Sequence, residues 1–299
     1  MARLRGAFTA LITPMTAVGS VDYDGFRELV RFQLKSGISG LVPLGTTGET
    51  PTLTEDEEDR LAEIAIAECA AYTERKVPVI LGAGSNSTRD AVRYVSRAKA
   101  LGADYALVVT PYYNKPSDEG ILRHFEAAAC VGIPIIVYNI AGRTGKNISV
   151  PLLARIAELP NIAGVKEASG SVSQMMDVIA QVQSRHPDFS VLSGDDSLTL
   201  ALTALGGDGV ISVVSNLAPA EMTEMTNAAL NGDMERARAL HYRLLPFMKA
   251  AFVETNPCPI KYALSCKGLP SGGLRLPLVP VLPESRKIIE DAMKESGLW

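Results

Sequence analysis

The sequence predicts an α/β fold of the (β/α)8 TIM-barrel class followed by a C-terminal helical appendage. Three observations carry that expectation. Eight short strand-forming runs recur, longer stretches with apolar residues at helical spacing separate them, and the strand runs are apolar almost throughout. Strands that are apolar on both faces belong in a parallel sheet covered by helices on each side. Eight such β/α units in about 220 residues fit a barrel, which takes roughly 250. An open doubly wound sheet is the second fit to the same pattern.

The strand runs are, in order, "GAFTALIT", "GISGLVPL", "VPVILGA", "ADYALVVT", "IPIIVYNI", "IAGVKEA", "FSVLSGD" and "DGVISVV". Between the second and third, Thr54 and Glu57 have the spacing of a capping box, which opens a helix continuing to Ala71. A second helical stretch runs from Arg89 to Ala100, and Gly and Pro punctuate the joints. After "VISVVSNLAP" the pattern becomes helical only, from about Met234, with breaks near 256–259 and 268–283. The expected division is therefore 1–232 for the barrel carrying the active site and 233–299 for the helical region.

Composition narrows the partners. The chain has 299 residues, 47% hydrophobic and 21% charged, with a net charge of −4, so there is ample core and no strong electrostatic pull. No Lys/Arg run or aromatic-basic interleaving points to nucleic acid or to a membrane surface, which leaves a small molecule as the expected partner. The opening "MARLRGAFTALITPM" has arginines before an apolar run, but the run is short and Pro14 interrupts it. It therefore reads as a first strand, not a cleaved leader. No apolar run approaches the roughly 20 residues of a membrane span. Cys69, Cys130, Cys258 and Cys266 have neither zinc nor redox spacing, and the expectation is a reduced, cytoplasmic compartment.

A barrel places its chemistry at the C-terminal ends of its strands. Those ends carry Thr13; Gly45, Thr46 and Thr47; Gly84 and Asn86; Thr110, Tyr112 and Tyr113; Tyr138 and Asn139; Lys166 and Glu167; Gly194 and Asp195; and Ser212 with Asn216. Lys166 follows the buried residues Ile162, Ala163 and Val165, where desolvation would lower its pKa and free the amine to attack a carbonyl. The plain alternative is a lysine that leaves the strand and snorkels to solvent. Tyr138 ends the preceding strand and reads either as a proton relay beside that amine or as an aromatic cap on the barrel. Thr47, Tyr112 and Tyr113 extend the hydroxyl set, or else serve as turn and packing residues. Gly45 and Gly48 would turn backbone amides toward a carboxylate, where a side chain would crowd the approach. Arg143 offers a fork for a second carboxylate, or is simply an exposed loop residue. His124, His186 and His241 fall in expected helices away from the strand ends, so metal-assisted chemistry is not expected.

The motifs "GTTGE", "TPYYNKP", "YNIAGRTG", "GVKEASG", "SGDD" and "GDGVISV", with "NPCPIKYAL" in the helical tail, resemble in order and spacing the dihydrodipicolinate synthase/N-acetylneuraminate lyase family. The resemblance covers essentially the whole chain. It implies a class I mechanism without a cofactor, in which Lys166 forms a covalent imine with pyruvate. Tyr138, Thr47 and Tyr112 match the family's proton-relay triad, and Tyr113 matches a residue that reaches into a neighbouring subunit. It further implies that Thr46 and Thr47 hold the pyruvate carboxylate, that Gly194 and Ile211 line the pocket, and that the protein is a homotetramer built as a dimer of dimers. Arg143 and "GTTGE" resemble the members that condense pyruvate with L-aspartate 4-semialdehyde. Ala141 stands where those members usually have proline. N-acetylneuraminate lyase and 2-keto-3-deoxy sugar acid aldolase are the alternatives, and a non-catalytic barrel that binds a keto acid is a third reading. The family's allosteric lysine cleft would fall on Thr50, Pro51, Glu55, Glu58, Asn86, Asp90 and Tyr112. Glu55 and Glu58 replace the histidines of enteric-type members there, and Asp90 replaces the glutamate usual in lysine-sensitive ones.

Overall fold

The computed structural model describes residues 3–299; Met1 and Ala2, with which the opening run and the expected 1–232 division begin, lie outside the described residues. The first half contains β1 (Gly6–Ala10), α1 (Tyr23–Lys35), β2 (Gly40–Val42), α2 (Glu55–Ala71), β3 (Ile80–Gly82), α3 (Thr88–Leu101), β4 (Tyr105–Val109) and α4 (Asp118–Ala129). Then come β5 (Ile135–Asn139), the single turn α5 (Ala141–Thr144), α6 (Val150–Ala157), β6 (Ile162–Glu167), α7 (Val172–Val178), β7 (Ser190–Ser193), α8 (Thr199–Ala204) and β8 (Gly209–Ser212). Four helices complete the chain: α9 (Pro219–Leu230), α10 (Met234–Ala250), α11 (Cys258–Cys266) and α12 (Pro283–Glu295).

All eight expected strands are present, in the sheet order β2-β1-β8-β7-β6-β5-β4-β3, with parallel registers. Leu41 of β2 also bridges in parallel to Val79, just before β3. This is the (β/α)8 barrel with C-terminal helices that the sequence predicts. The capping box forms as read: Thr54 Oγ1 accepts from Glu57 N, and Glu57 Oε2 accepts from Thr54 N.

Contacts gather the chain into two compact units, one of Ile80–Ile211 with the residues up to Gly6, the other of Ala7–Val79 with Ser212–Trp299. In the first, the strand interiors are almost wholly buried aliphatic residues such as Val108, Ile135, Ile136, Val137, Val165 and Val191. The buried Asp208 ties its N-terminal strand ends, accepting from Val191 N at 2.9 Å and from Gln183 Nε2 at 2.7 Å. In the second, the buried Gln33 of α1 accepts from Thr9 Oγ1 and donates to the Ser215 carbonyl, and Asn216 accepts from Ile12 N and donates to the Ala10 carbonyl. Each of these amides satisfies strand or turn groups that burial would otherwise leave unpaired.

His124 lies in α4 and His241 in α10, as expected, but His186 lies in the turn that follows the helical segment after α7. Pro187 is the reason, because the residue before a proline is pushed out of the helical region. Among the described residues, no helix is long and apolar enough to cross a membrane, and no group of three or more His, Cys, Asp or Glu side chains is placed to hold a metal ion.

Candidate active site

In the first unit, parallel pairing of β5 with β6 sets Tyr138 opposite Lys166. Lys166 is 6% exposed, and its Nζ stands 4.3 Å from the centroid of the Tyr138 ring. Burial lowers the Lys166 pKa from the ordinary 10.5 to about 8; Asp196 and Asp195 resist the shift and Arg143 adds to it. The ring face also favours the charged amine and so opposes the shift that burial imposes. The Tyr138 phenol is pushed above its usual range by burial, with Arg143 opposing and Asp195 adding to the shift. Asp195 is itself raised by burial, against the pull of Lys166.

Gly194 follows β7 directly, beside this pair. A Cβ there would lie 2.5 Å from the Ala168 Cβ and 3.2 Å from the Lys166 Cε, so Ala168 takes the space a side chain would need and the lysine stem crowds it further. Ile211 of β8 is fully buried. Arg143 stands on α5 with an exposed side chain. Its charge is felt at both Lys166 and Tyr138.

The expectation that all the strand-end residues share one rim needs correction at two places. Side chains alternate along a strand, so Asn139 and Glu167 point to the opposite face from Tyr138 and Lys166, where they bond to each other at 3.0 Å. Tyr112 and Tyr113 follow β4 in the same unit. Tyr113 is 89% exposed and held at φ 71°, a conformation costly for a bulky side chain. The turn is fixed by Asn114, whose amide donates to the Tyr112 carbonyl and whose side chain donates to the Asn86 carbonyl at 2.9 Å. Asp90 sits in the first turn of α3, near Arg89 and Arg93.

In the second unit, Thr46 and Thr47 open a short 3-10 turn after β2 whose leading amides have no partner within the turn. The two threonines differ. Thr46 is exposed, whereas Thr47 is buried and its Oγ1 accepts from Asn256 Nδ2 at 2.9 Å. At Gly48 a Cβ would meet the Leu11 carbonyl at 3.3 Å, and at Gly45 it would meet nothing within 4 Å. Thr50 Oγ1 donates to the Gly45 carbonyl, Pro51 follows in the next turn, and Glu55 and Glu58 occupy the first turn of α2.

Sequence reasoning gave no role to Glu49, Asn256 or Lys261. Glu49 has φ 57° and is 2% exposed. Its carboxylate accepts from Lys261 Nζ at 2.6 Å, and the same ammonium donates to the carbonyls of Thr13 and Gly273. Burial lowers the Lys261 pKa and Glu49 opposes that shift. The signal was a lysine among the apolar residues of "CPIKYAL", following the asparagine of "NPCPIK".

The description "Dihydrodipicolinate synthetase family" matches residues 3–296. A relative from Protochlamydia amoebophila, named 4-hydroxy-tetrahydrodipicolinate synthase, is 54% identical over 276 residues, 92% of this chain and 91% of the relative. The crystal structure of a dihydrodipicolinate synthase from Thermotoga maritima is similar with a TM-score of 0.95 and 44% identity, covering 99% of both chains. The chloride-inhibited dihydrodipicolinate synthase of Acinetobacter baumannii, solved with pyruvate, is similar with a TM-score of 0.94 and 38% identity over 99% of this chain and 100% of that one.

Proposed function

Because the chain belongs to the dihydrodipicolinate synthetase family, we propose that it is a lyase condensing pyruvate with L-aspartate 4-semialdehyde to 4-hydroxy-tetrahydrodipicolinate, in lysine and diaminopimelate biosynthesis. The observation that carries the proposal is the buried Lys166 amine at a strand end, set against Tyr138 and lowered to about 8. Relatives named for this synthesis favour it over N-acetylneuraminate or keto-deoxy sugar acid cleavage.

The neutral amine of Lys166 adds to C2 of pyruvate and water leaves, giving an imine. Loss of a methyl proton makes the enamine, whose carbon attacks the aldehyde. The substrate's amino group then adds to C2 and displaces the lysine, closing the ring and restoring the enzyme. No cofactor is needed, because the imine nitrogen is the electron sink. Tyr138, with Thr47 and Tyr112, moves protons to and from the imine nitrogen and the developing hydroxyl. The exposed Thr46 is the competing candidate for the threonine role. The amides of Thr46 and Thr47 receive the pyruvate carboxylate, Gly194 and Ile211 line the pocket, and Arg143 receives the carboxylate of the semialdehyde in a bidentate grip.

Several finer assignments belong to the same proposal. Tyr113, bare and strained, reaches into a neighbouring copy in a dimer, two of which make a homotetramer. Thr50, Pro51, Glu55, Glu58, Asn86, Asp90 and Tyr112 form a regulatory lysine site. The barrel at 1–232 holds the chemistry and 233–299 the helical support, and the protein works in the cytoplasm with its cysteines reduced. The test is Lys166→Ala with a coupled assay for the product: turnover should vanish while the circular dichroism spectrum and melting temperature stay near those of the wild type. Residual turnover near the wild-type rate would overturn the mechanism.

A further inference from the structure

The strands that deliver Tyr138 and Lys166 use their next residues for a second task. Register pairs Asn139 with Glu167 as it pairs Tyr138 with Lys166. Asn139 is 1% exposed and Glu167 is fully buried. The Asn139 Oδ1 accepts from the Ile148 amide at 3.0 Å, and its Nδ2 donates to Asn147 Oδ1 at 2.8 Å and to Glu167 Oε2 at 3.0 Å. Glu167 also accepts from the Ser169 amide at 2.7 Å and from Gln174 Nε2 at 3.2 Å. Gln174 and Asn147 bond to one another in both directions, and Gln174 reaches the Ile148 carbonyl.

The chain thus leaves the sheet at Asn139 and is returned to that same side chain at Ile148. The segment between them carries α5 and Arg143. Within it, Arg143 N and Thr144 N donate to the Ile140 carbonyl, and the Thr144 hydroxyl bridges the carbonyls of Ile140 and Lys146. The Arg143 guanidinium makes no hydrogen bond or ion pair with another described residue, so its place depends on the backbone that bears it. Glu167 meets three neutral donors, and a carboxylate is the side chain with two oxygens free to accept them all.

We propose that Asn139, Glu167 and Gln174 are positioning residues for the second substrate: by closing the 140–147 segment they hold Arg143 where it selects an aldehyde that carries a carboxylate. This rests on the reading of Arg143 given above. Pyruvate activation is assigned above to Lys166, Tyr138, Tyr112 and the turn at Thr46 and Thr47, none of them a member of this network, so the two substrates respond differently when the network is cut.

The test is a double-mutant cycle with Gln174→Ala, Asn139→Ala and Arg143→Ala. It is read as KM for each substrate and as the yield of borohydride-trapped pyruvate on Lys166. Gln174→Ala and Asn139→Ala should raise the semialdehyde KM by roughly tenfold to a hundredfold, the scale of misplacing a positioning group. Pyruvate KM and trapped imine should stay within about twofold. In the Arg143→Ala background neither change should raise the semialdehyde KM further. An unchanged semialdehyde KM in the single variants, or a full additional loss on top of Arg143→Ala, would overturn the inference while leaving the Arg143 reading intact. An unaltered semialdehyde KM in Arg143→Ala itself would remove that reading and the inference with it. If Asn139→Ala does not fold, the half-exposed Gln174 carries the test alone.

Discussion

If burial lowers Lys166 to about 8 from an ordinary 10.5, pH is a direct probe of the proposed nucleophile. At pH 7 about one amine in ten is then neutral, against roughly one in three thousand for an unperturbed lysine, a gain of about 300-fold or about 3 kcal/mol. The Tyr138 face favours the charged amine and so pulls the midpoint upward, against the direction burial imposes. The assay is the second-order rate of imine formation with pyruvate from pH 6 to 10.5, trapped by reduction and quantified by mass, since this rate reports the free enzyme. The rate should climb tenfold per pH step below the midpoint and level off above it. Asp195→Asn removes a charge that holds the lysine protonated, so the midpoint should fall in that variant. A rate still climbing through pH 10, or a midpoint unmoved by Asp195→Asn, would refute the argument that burial and these carboxylates set the amine.

Other expectations follow from the same geometry. Tyr138→Phe should lower kcat by about a hundredfold or more through loss of a proton relay, measured in the coupled assay. Thr47→Val beside Thr46→Val assigns the hydroxyl, with the larger kcat loss expected at Thr47. Glu57 is held down to about 2 mainly by the Arg275 guanidinium, which it meets at 2.6 Å. A lowered carboxyl contributes stability above its unfolded value of 4.5 and loses it as pH falls toward 2. With solvent screening the contribution is about 1 kcal/mol or less, so Glu57→Gln should flatten the acid limb of a urea-denaturation series by that amount. Lys261→Met strands the fully buried Glu49 and should cost about 3–5 kcal/mol, seen as a lower urea midpoint, with Glu49→Gln in the same chain recovering part of it.

The sequence by itself determined the eight strands, the capping box at Thr54, the helical tail and the pairing of Tyr138 with Lys166. Each of these is local or lies on consecutive parallel strands, so periodicity and strand order are enough to read it. The candidate nucleophile was legible for the same reason: a lysine closes an apolar strand, and the structure buries it beside Tyr138 where the sequence also allowed it to snorkel to solvent. Strand alternation already sets Asn139 and Glu167 on the opposite face from Tyr138 and Lys166; tertiary structure alone decided that Asn147, Ile148 and Gln174 meet them there. It also decided that Asn256 grips Thr47 from 209 positions away and that Lys261 pairs with Glu49 across 212. Local sequence carries no record of such partners. How far an amine is desolvated, and which carboxylate answers it, depends on the packing of segments that meet only after the chain has folded.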